Sequence, residues 1–306
     1  MPNTLAHVGA QGVATRLGLR DADLRWAYLG CLVPDLPWIL QRLLLDAVPG
    51  IDPYALQAYT IAQASLLGGL LVCAAAALLA PRPGRAFAVL GGNVGLHLVL
   101  DALQTKWGSG AHFLAPVSWQ ATNWGWFWPE SGPTYVLTAL GLLVVGWHAW
   151  RGFARPPALV RPSWGRLAAM AGLLAVYAAG PLLLLQGPVV ADAHSIGTLS
   201  RPLERQGHAV AIDRARYVET PGGPRLEHYR GRVLLRAEGL SAEPPATVSV
   251  RGVLTGKNTI RVTDQYIHAG PLRDYPSYLG LLFIAAVWGR ALIGAYGERG
   301  RIRSGS

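Results

Sequence analysis

Apolar residues along this chain gather into seven runs, at about 4–19, 25–47, 58–80, 86–104, 133–150, 166–187 and 277–297. Most approach the ~20 residues of helix needed to cross the hydrocarbon core of a bilayer, so the pattern predicts membrane helices. Two runs are atypical. The first carries His7, Gln11 and Arg16, and the second is interrupted by Pro34, Asp35 and Pro37. Broken helices of that kind are tolerated at membrane depth where they line a cavity.

Between 188 and 276 the period changes from helical to alternating. "HAVAIDRARYVE", "YRGRVLLRAEG", "ATVSVRGVLTG" and "NTIRVTDQYIHAG" are short, rich in β-branched residues and broken by Gly and Pro. They predict four or five antiparallel strands in a small barrel or sandwich, OB-like in type. The fold class expected is therefore an α-helical polytopic membrane bundle of six to seven segments with an inserted all-β domain. Its divisions are a bundle over 1–187, a β-rich domain over 188–276, and a last helix with a basic tail over 277–306.

Composition supports the membrane reading. Hydrophobic residues make up 51% and charged residues 14%, against about 25% charged in a soluble domain. A net charge of +10 would suit nucleic acid, but the arginines sit in short loops between apolar runs, and lysine occurs only at Lys106 and Lys257. That is a topology signal, so nucleic acid is not expected as a partner. Arg16, Arg20 and Arg25, then Arg82 and Arg85, then Arg151 to Arg166, and finally Arg299 to Arg303 all fall on one side, the cytoplasmic one. The β-domain then lies outside, in the periplasm if this is an inner membrane, and the C-terminus inside. The aromatic cluster "WQATNWGWFWPE" suits the outer interface, where indoles sit at headgroup depth. Cys31 and Cys73 form no CxxC and read as small core residues. No basic start followed by a compact apolar run marks a cleavable leader.

One stretch is chemically odd for its setting. In "GLHLVLDALQTKWGSGAHFLAPVSW", His97 and Asp101 lie four residues apart in an apolar helix, hence on one face. An aspartate at that depth costs ~2.5–3.5 kcal/mol, which makes it a functional candidate. Together the pair supplies nitrogen and oxygen ligands for one cation. The loop charges place His7 and Asp35 near the same outer half of the membrane, so all four side chains are expected to meet there. His112 is a supplementary candidate in the outer loop, whereas Trp147 and His148 suit an interfacial helix end. His194, His208, His228 and His268 are scattered without ligand spacing. No G-x-S-x-G, P-loop or dinucleotide fingerprint is present.

An N-terminal His, a "PD" in an apolar run and "HLVLDALQTKWGSGAHFLAP" together resemble the membrane-bound metal-dependent hydrolase family, a distant relative of zinc-dependent phospholipase C. The resemblance covers about residues 1–120. It implies a divalent metal, zinc by kinship, held by His7, Asp35, His97 and Asp101, with Asp101 the candidate catalytic group bridging metal and water. It further implies hydrolysis of a phosphoester or related bond in a lipid-linked or periplasmic substrate. The family's "PDxDH" stands here as "PDLPW", and Gln63 and Ala64 replace its Thr-His pair, so one metal rather than two is expected. The alternative is a non-enzymatic membrane scaffold whose β-domain engages an envelope protein; a midplane transporter fits less well, because no inverted repeat appears.

Overall fold

A computed structural model describes residues 3–153, 159–270 and 274–303. Helix α1 (Thr4–Gly18) opens on Asn3, whose side chain accepts a hydrogen bond from the Ala6 amide at 2.9 Å. Helix α2 (Leu24–Leu32) leads through a 3-10 turn at Val33–Asp35 into α3 (Leu36–Ala47). Pro34 and Pro37 withhold backbone donors there, so a straight helix cannot continue through Asp35. Helices α4 (Pro53–Gln63) and α5 (Leu66–Ala77) meet at a 61° bend. Ser65, extended at the bend, restarts the chain by capping α5.

Helix α6 (Pro83–Leu103) carries Asn93, His97 and Asp101 at successive i+4 positions on its buried face. A long loop, 104–131, then returns over the end of α6. The Trp124 and Trp126 amides donate to the Ala102 and Leu103 carbonyls at 2.7 and 2.8 Å, satisfying acceptors that a helix end leaves unpaired. Helix α7 (Gly132–Arg151) follows, then α8 (Trp164–Ala179), which a 3-10 turn extends to Leu183. Two short helices, α9 (Gln186–Val190) and α10 (Ile196–Ser200), connect to the strands.

Strands β1 (Ala209–Val218), β2 (Arg225–His228), β3 (Val233–Glu238), β4 (Ala246–Gly256) and β5 (Thr259–Ile267) close into a barrel in the order β1-β2-β3-β5-β4. Only β3 and β5 pair in parallel. Inward positions such as Ile212, Leu226, Leu235, Val250 and Ile260 alternate with outward polar ones and form one core with Leu45 of α3, Leu56 of α4 and Leu199 of α10. Barrel and bundle thus share buried surface. Helix α11 (Asp274–Arg303) is the last described element.

The count of six to seven membrane segments is corrected. Among the described residues four helices are long and apolar enough to cross a membrane: α6, α7, α8 with its extension, and α11. The bent pair α4–α5 makes a fifth at most. Helix α1 has 15 residues, ~22 Å at 1.5 Å per residue, short of the ~30 Å core. Its apolar character serves packing inside the protein: residues Thr4 to Gly9 are all buried. The second run fails because its later half, α3, leaves the bundle and joins the barrel. Arg232 donates to the Leu45 and Val48 carbonyls at 2.9 and 2.8 Å, and Arg230 pairs with Asp46. By contrast, only 6% of the apolar stretch of α8 is buried within the protein, so that helix presents its apolar surface outward.

Candidate metal centre

Three elements deliver the polar residues singled out in the sequence to one place. Helix α1 brings His7, the 3-10 turn brings Asp35, and α6 brings His97 and Asp101. Close approach of α1 to α7 sets the position of His7: a Cβ on Gly141 would lie 2.1 Å from the Leu5 carbonyl, and one on Gly9 would lie 2.4 Å from the Gly141 amide. Only glycine permits that contact. The two imidazoles, both wholly buried, stack with ring centres 3.8 Å apart and planes 3° from parallel.

His7 Nε2 lies 3.5 Å from Asp101 Oδ1, and His97 Nε2 lies 3.5 Å from Asp35 Oδ1 and 3.8 Å from Asp101 Oδ2. These separations exceed the ~2.7–2.9 Å of a charge-assisted hydrogen bond. They match the ~3.4 Å between two ligands that each sit ~2.0–2.1 Å from a tetrahedral ion. His7 Nε2, His97 Nε2, Asp35 Oδ1 and Asp101 Oδ1 are all buried without a hydrogen-bond partner. Orphaned polar atoms facing one another are costly unless something charged sits between them. Ligand atoms of His7, His97 and Asp101 lie within 4.8 Å of one another, so these three could hold a metal ion. Asp35 reaches the group through His97.

Supporting contacts surround the cluster. The Gln11 amide is 3.2 Å from His7 Nδ1 and also touches Cys31 Sγ at 2.9 Å. The Gln11 nitrogen faces His7 Nδ1 and its oxygen accepts from the Cys31 thiol. A histidine that binds a cation through Nε2 keeps its proton on Nδ1, and a turn of the Gln11 amide about its last bond brings its oxygen to accept that proton. Lys106 Nζ is 3.1 Å from Asp101 Oδ2, which leaves Oδ1 turned to His7.

Asp101 and Lys106 also line a cavity of about 340 Å³ between bundle and barrel. Its walls include Arg42 of α3, His194, and Asp213, Arg214 and Arg216 of β1. His112 does not join the cluster. It pairs instead with His194, Nε2 to Nε2 at 3.1 Å, and Trp38 stacks on His194 with ring centres 5.5 Å apart. Burial pushes His112 down to about 4; burial, then the neighbouring His112, holds His194 well below the ordinary imidazole range. Both rings are neutral near pH 7, so one donates and the other accepts.

Sequence reasoning missed Lys106, His194 and the barrel arginines as neighbours of the site. Lys106 alone left a trace, being one of two lysines and the next cation after Asp101. A second polar array has a structural role: Ser249 Oγ, His268 Nε2 and Nδ1, and Glu130 Oε2 line up at 2.8 and 3.0 Å. It has the order of a nucleophile relay, yet Ser249 is fully buried and its hydroxyl donates to Asp213 at 2.7 Å. That array joins barrel to bundle.

Fold and site together define a helical bundle with helices long and apolar enough to cross a membrane, a docked five-stranded barrel, and a buried histidine–aspartate group able to hold a metal ion. No family model, curated protein or solved structure matches this chain.

Proposed function

We propose that the chain is an inner-membrane metal-dependent hydrolase whose cluster holds one divalent ion, zinc by its ligand chemistry, and acts on a phosphoester or related bond in a lipid-linked or periplasmic substrate. The observation that carries this reading is the set of four buried, unpartnered ligand atoms on His7, Asp35, His97 and Asp101, beside a cavity lined by cations. Two imidazoles and carboxylate oxygen are a donor set suited to zinc. When bound, such an ion lowers the pKa of water and polarises an ester oxygen.

The chain's own residues divide the remaining work. Asp101 is the cluster member that lines the cavity, so in this reading its carboxylate meets the entering ester and the attacking water. Lys106 holds Oδ2 of that carboxylate and offers a cation to a phosphoryl oxygen. Gln11 orients His7, and Asp35 balances charge at the helix break. We read the barrel as OB-like and place it outside the membrane, with membrane lipid around α8.

Elemental analysis of the purified protein beside His97→Ala and Asp101→Asn tests the reading. About one metal per chain is expected in wild type and little in either variant, with hydrolysis of a phosphodiester probe lost alongside. Asp101→Asn keeps size and packing, so the fold should persist. Equal metal content in all three proteins would overturn the metal reading and leave the scaffold, in which the barrel engages an envelope partner.

A further inference from the structure

The cavity has a second chemical feature, a surplus of cationic side chains. Five cationic side chains line it, Lys106 and Arg42, Arg214, Arg216 and Arg230, against three carboxylates, Asp101, Asp213 and Glu227. Two of those carboxylates are already engaged, Asp101 by Lys106 and Asp213 by the Ser249 hydroxyl. Arg214 and Arg230 have carboxylate partners outside the cavity, Glu130 and Asp46. Arg42 has no ion-pair partner among the described residues, and Arg216 is held only at 3.4 Å by Glu227 while its side chain stays 61% exposed. One of these two guanidiniums comes from the helical wall and the other from the barrel wall.

Backbone geometry is concentrated at the same place. Among the described residues six non-glycine residues have positive φ, and four of them line this cavity: His194 at 55°, Arg214 at 52°, Tyr229 at 48° and Arg230 at 58°. A Cβ disfavours that region, and such residues persist where the surroundings impose them, often at ligand sites. The register of β1 on β4 shifts between Ile212 and Ala215. A bulge of this kind re-aims side chains: Asp213 and Arg214, consecutive residues that a regular strand would point to opposite faces, both line the cavity.

We propose that the barrel is a substrate-recognition wall, and that Arg42 and Arg216 bind a phosphate-type anion of a ligand held in this cavity. The proposal rests on the hydrolase reading for the word substrate, but the anion site is testable without metal. A guanidinium offers paired donors that match phosphate oxygens. Lys106, in contact with Asp101, and Arg42 and Arg216 elsewhere on the cavity lining suit a ligand with more than one anionic oxygen group.

The test uses the full chain in detergent, stripped with chelator, and measures binding of pyrophosphate and of inorganic phosphate by calorimetry. Wild type should bind pyrophosphate more tightly than phosphate, with affinity falling as salt rises. Arg42→Gln/Arg216→Gln should weaken pyrophosphate binding about tenfold or more, and Arg42→Gln alone by a smaller factor. That single variant alters an exposed residue outside any ion pair, so it guards against misfolding of the double variant. Arg261→Gln, on β5 away from the cavity, should bind like wild type. A dihexanoyl phosphatidic acid arm separates sources: tighter binding than pyrophosphate means a lipid headgroup, weaker binding a soluble anion, both through the same arginines. Stripped wild type that fails to bind pyrophosphate, or a folded double variant that binds it as wild type does, would sink the proposal. Wild type with no metal as purified that still binds through Arg42 and Arg216 would defeat the hydrolase reading and leave the anion site standing.

Discussion

Glu130 lies in the loop just before α7 and receives Arg214 and His268 from the barrel, with His268 Nδ1 at 3.0 Å. Burial alone would raise its carboxyl, but the hydrogen bond and charge of His268, with those of Arg214, outweigh burial and hold it at about 2. The folded value is thus depressed below the ordinary 4.5. Such a group contributes stability that is fully present above about 4.5 and is lost as pH falls through 2. Acidification across that window should loosen the barrel from the bundle. Trp128, stacked on Tyr266 with ring centres 3.7 Å apart, reports it by fluorescence. Glu130→Gln should lower stability at neutral pH and flatten the change between pH 4.5 and 2. An unaltered acid profile in that variant would show that the clamp has no part in docking.

Among the elements, α1 decides whether the cluster exists. It supplies His7, and its register against α7 is set by the Gly9–Gly141 contact. Gly141→Ala places a methyl 2.1 Å from the Leu5 carbonyl, so the helices must separate. Overpacking of this kind costs ~1–3 kcal/mol, and moving His7 should weaken metal binding as well. Gly146→Ala, on the same helix with open space around it, should change neither quantity. Thermal unfolding and metal content of the two variants give the comparison; equal behaviour would mean that α1 is placed by other contacts. A second element of this kind is the loop at Gly108, with φ of 68°, where a Cβ would meet the Ala211 carbonyl of β1 at 2.2 Å. Barrel docking therefore explains this glycine of "KWGSG".

Over the whole molecule, the two ends of α6 carry different structures. Asp21, Asp23, Arg82 and Arg85 surround one hollow at the start of that helix. Arg166 reaches the Leu78 and Ala80 carbonyls nearby at 3.1 and 3.2 Å. The barrel docks at the opposite end, past Asp101. The proposed orientation puts the loop arginines of the first end in the cytoplasm and the barrel outside. A reporter fused after Pro188 should then behave as periplasmic and one fused after Ser306 as cytoplasmic. Matching signals from the two fusions would overturn that orientation.

Local periodicity is what the sequence by itself determined. His97 and Asp101 share a face because a helix turns every 3.6 residues, and the barrel strands show because side chains alternate every two. His7 and Asp35 lie beside His97 and Asp101 through the packing of α1 and the 3-10 turn against α6, which local periodicity does not encode. The number of spans was not legible, since a core helix such as α1 and a lipid-facing one such as α8 are both apolar, and only packing tells them apart. Nor was the cavity. Arg42 and Arg216 are 174 positions apart, and neither has a local pattern that points to the other. They line one cavity from opposite elements because the barrel core is continuous with α3 and α4, a contact made by tertiary packing alone.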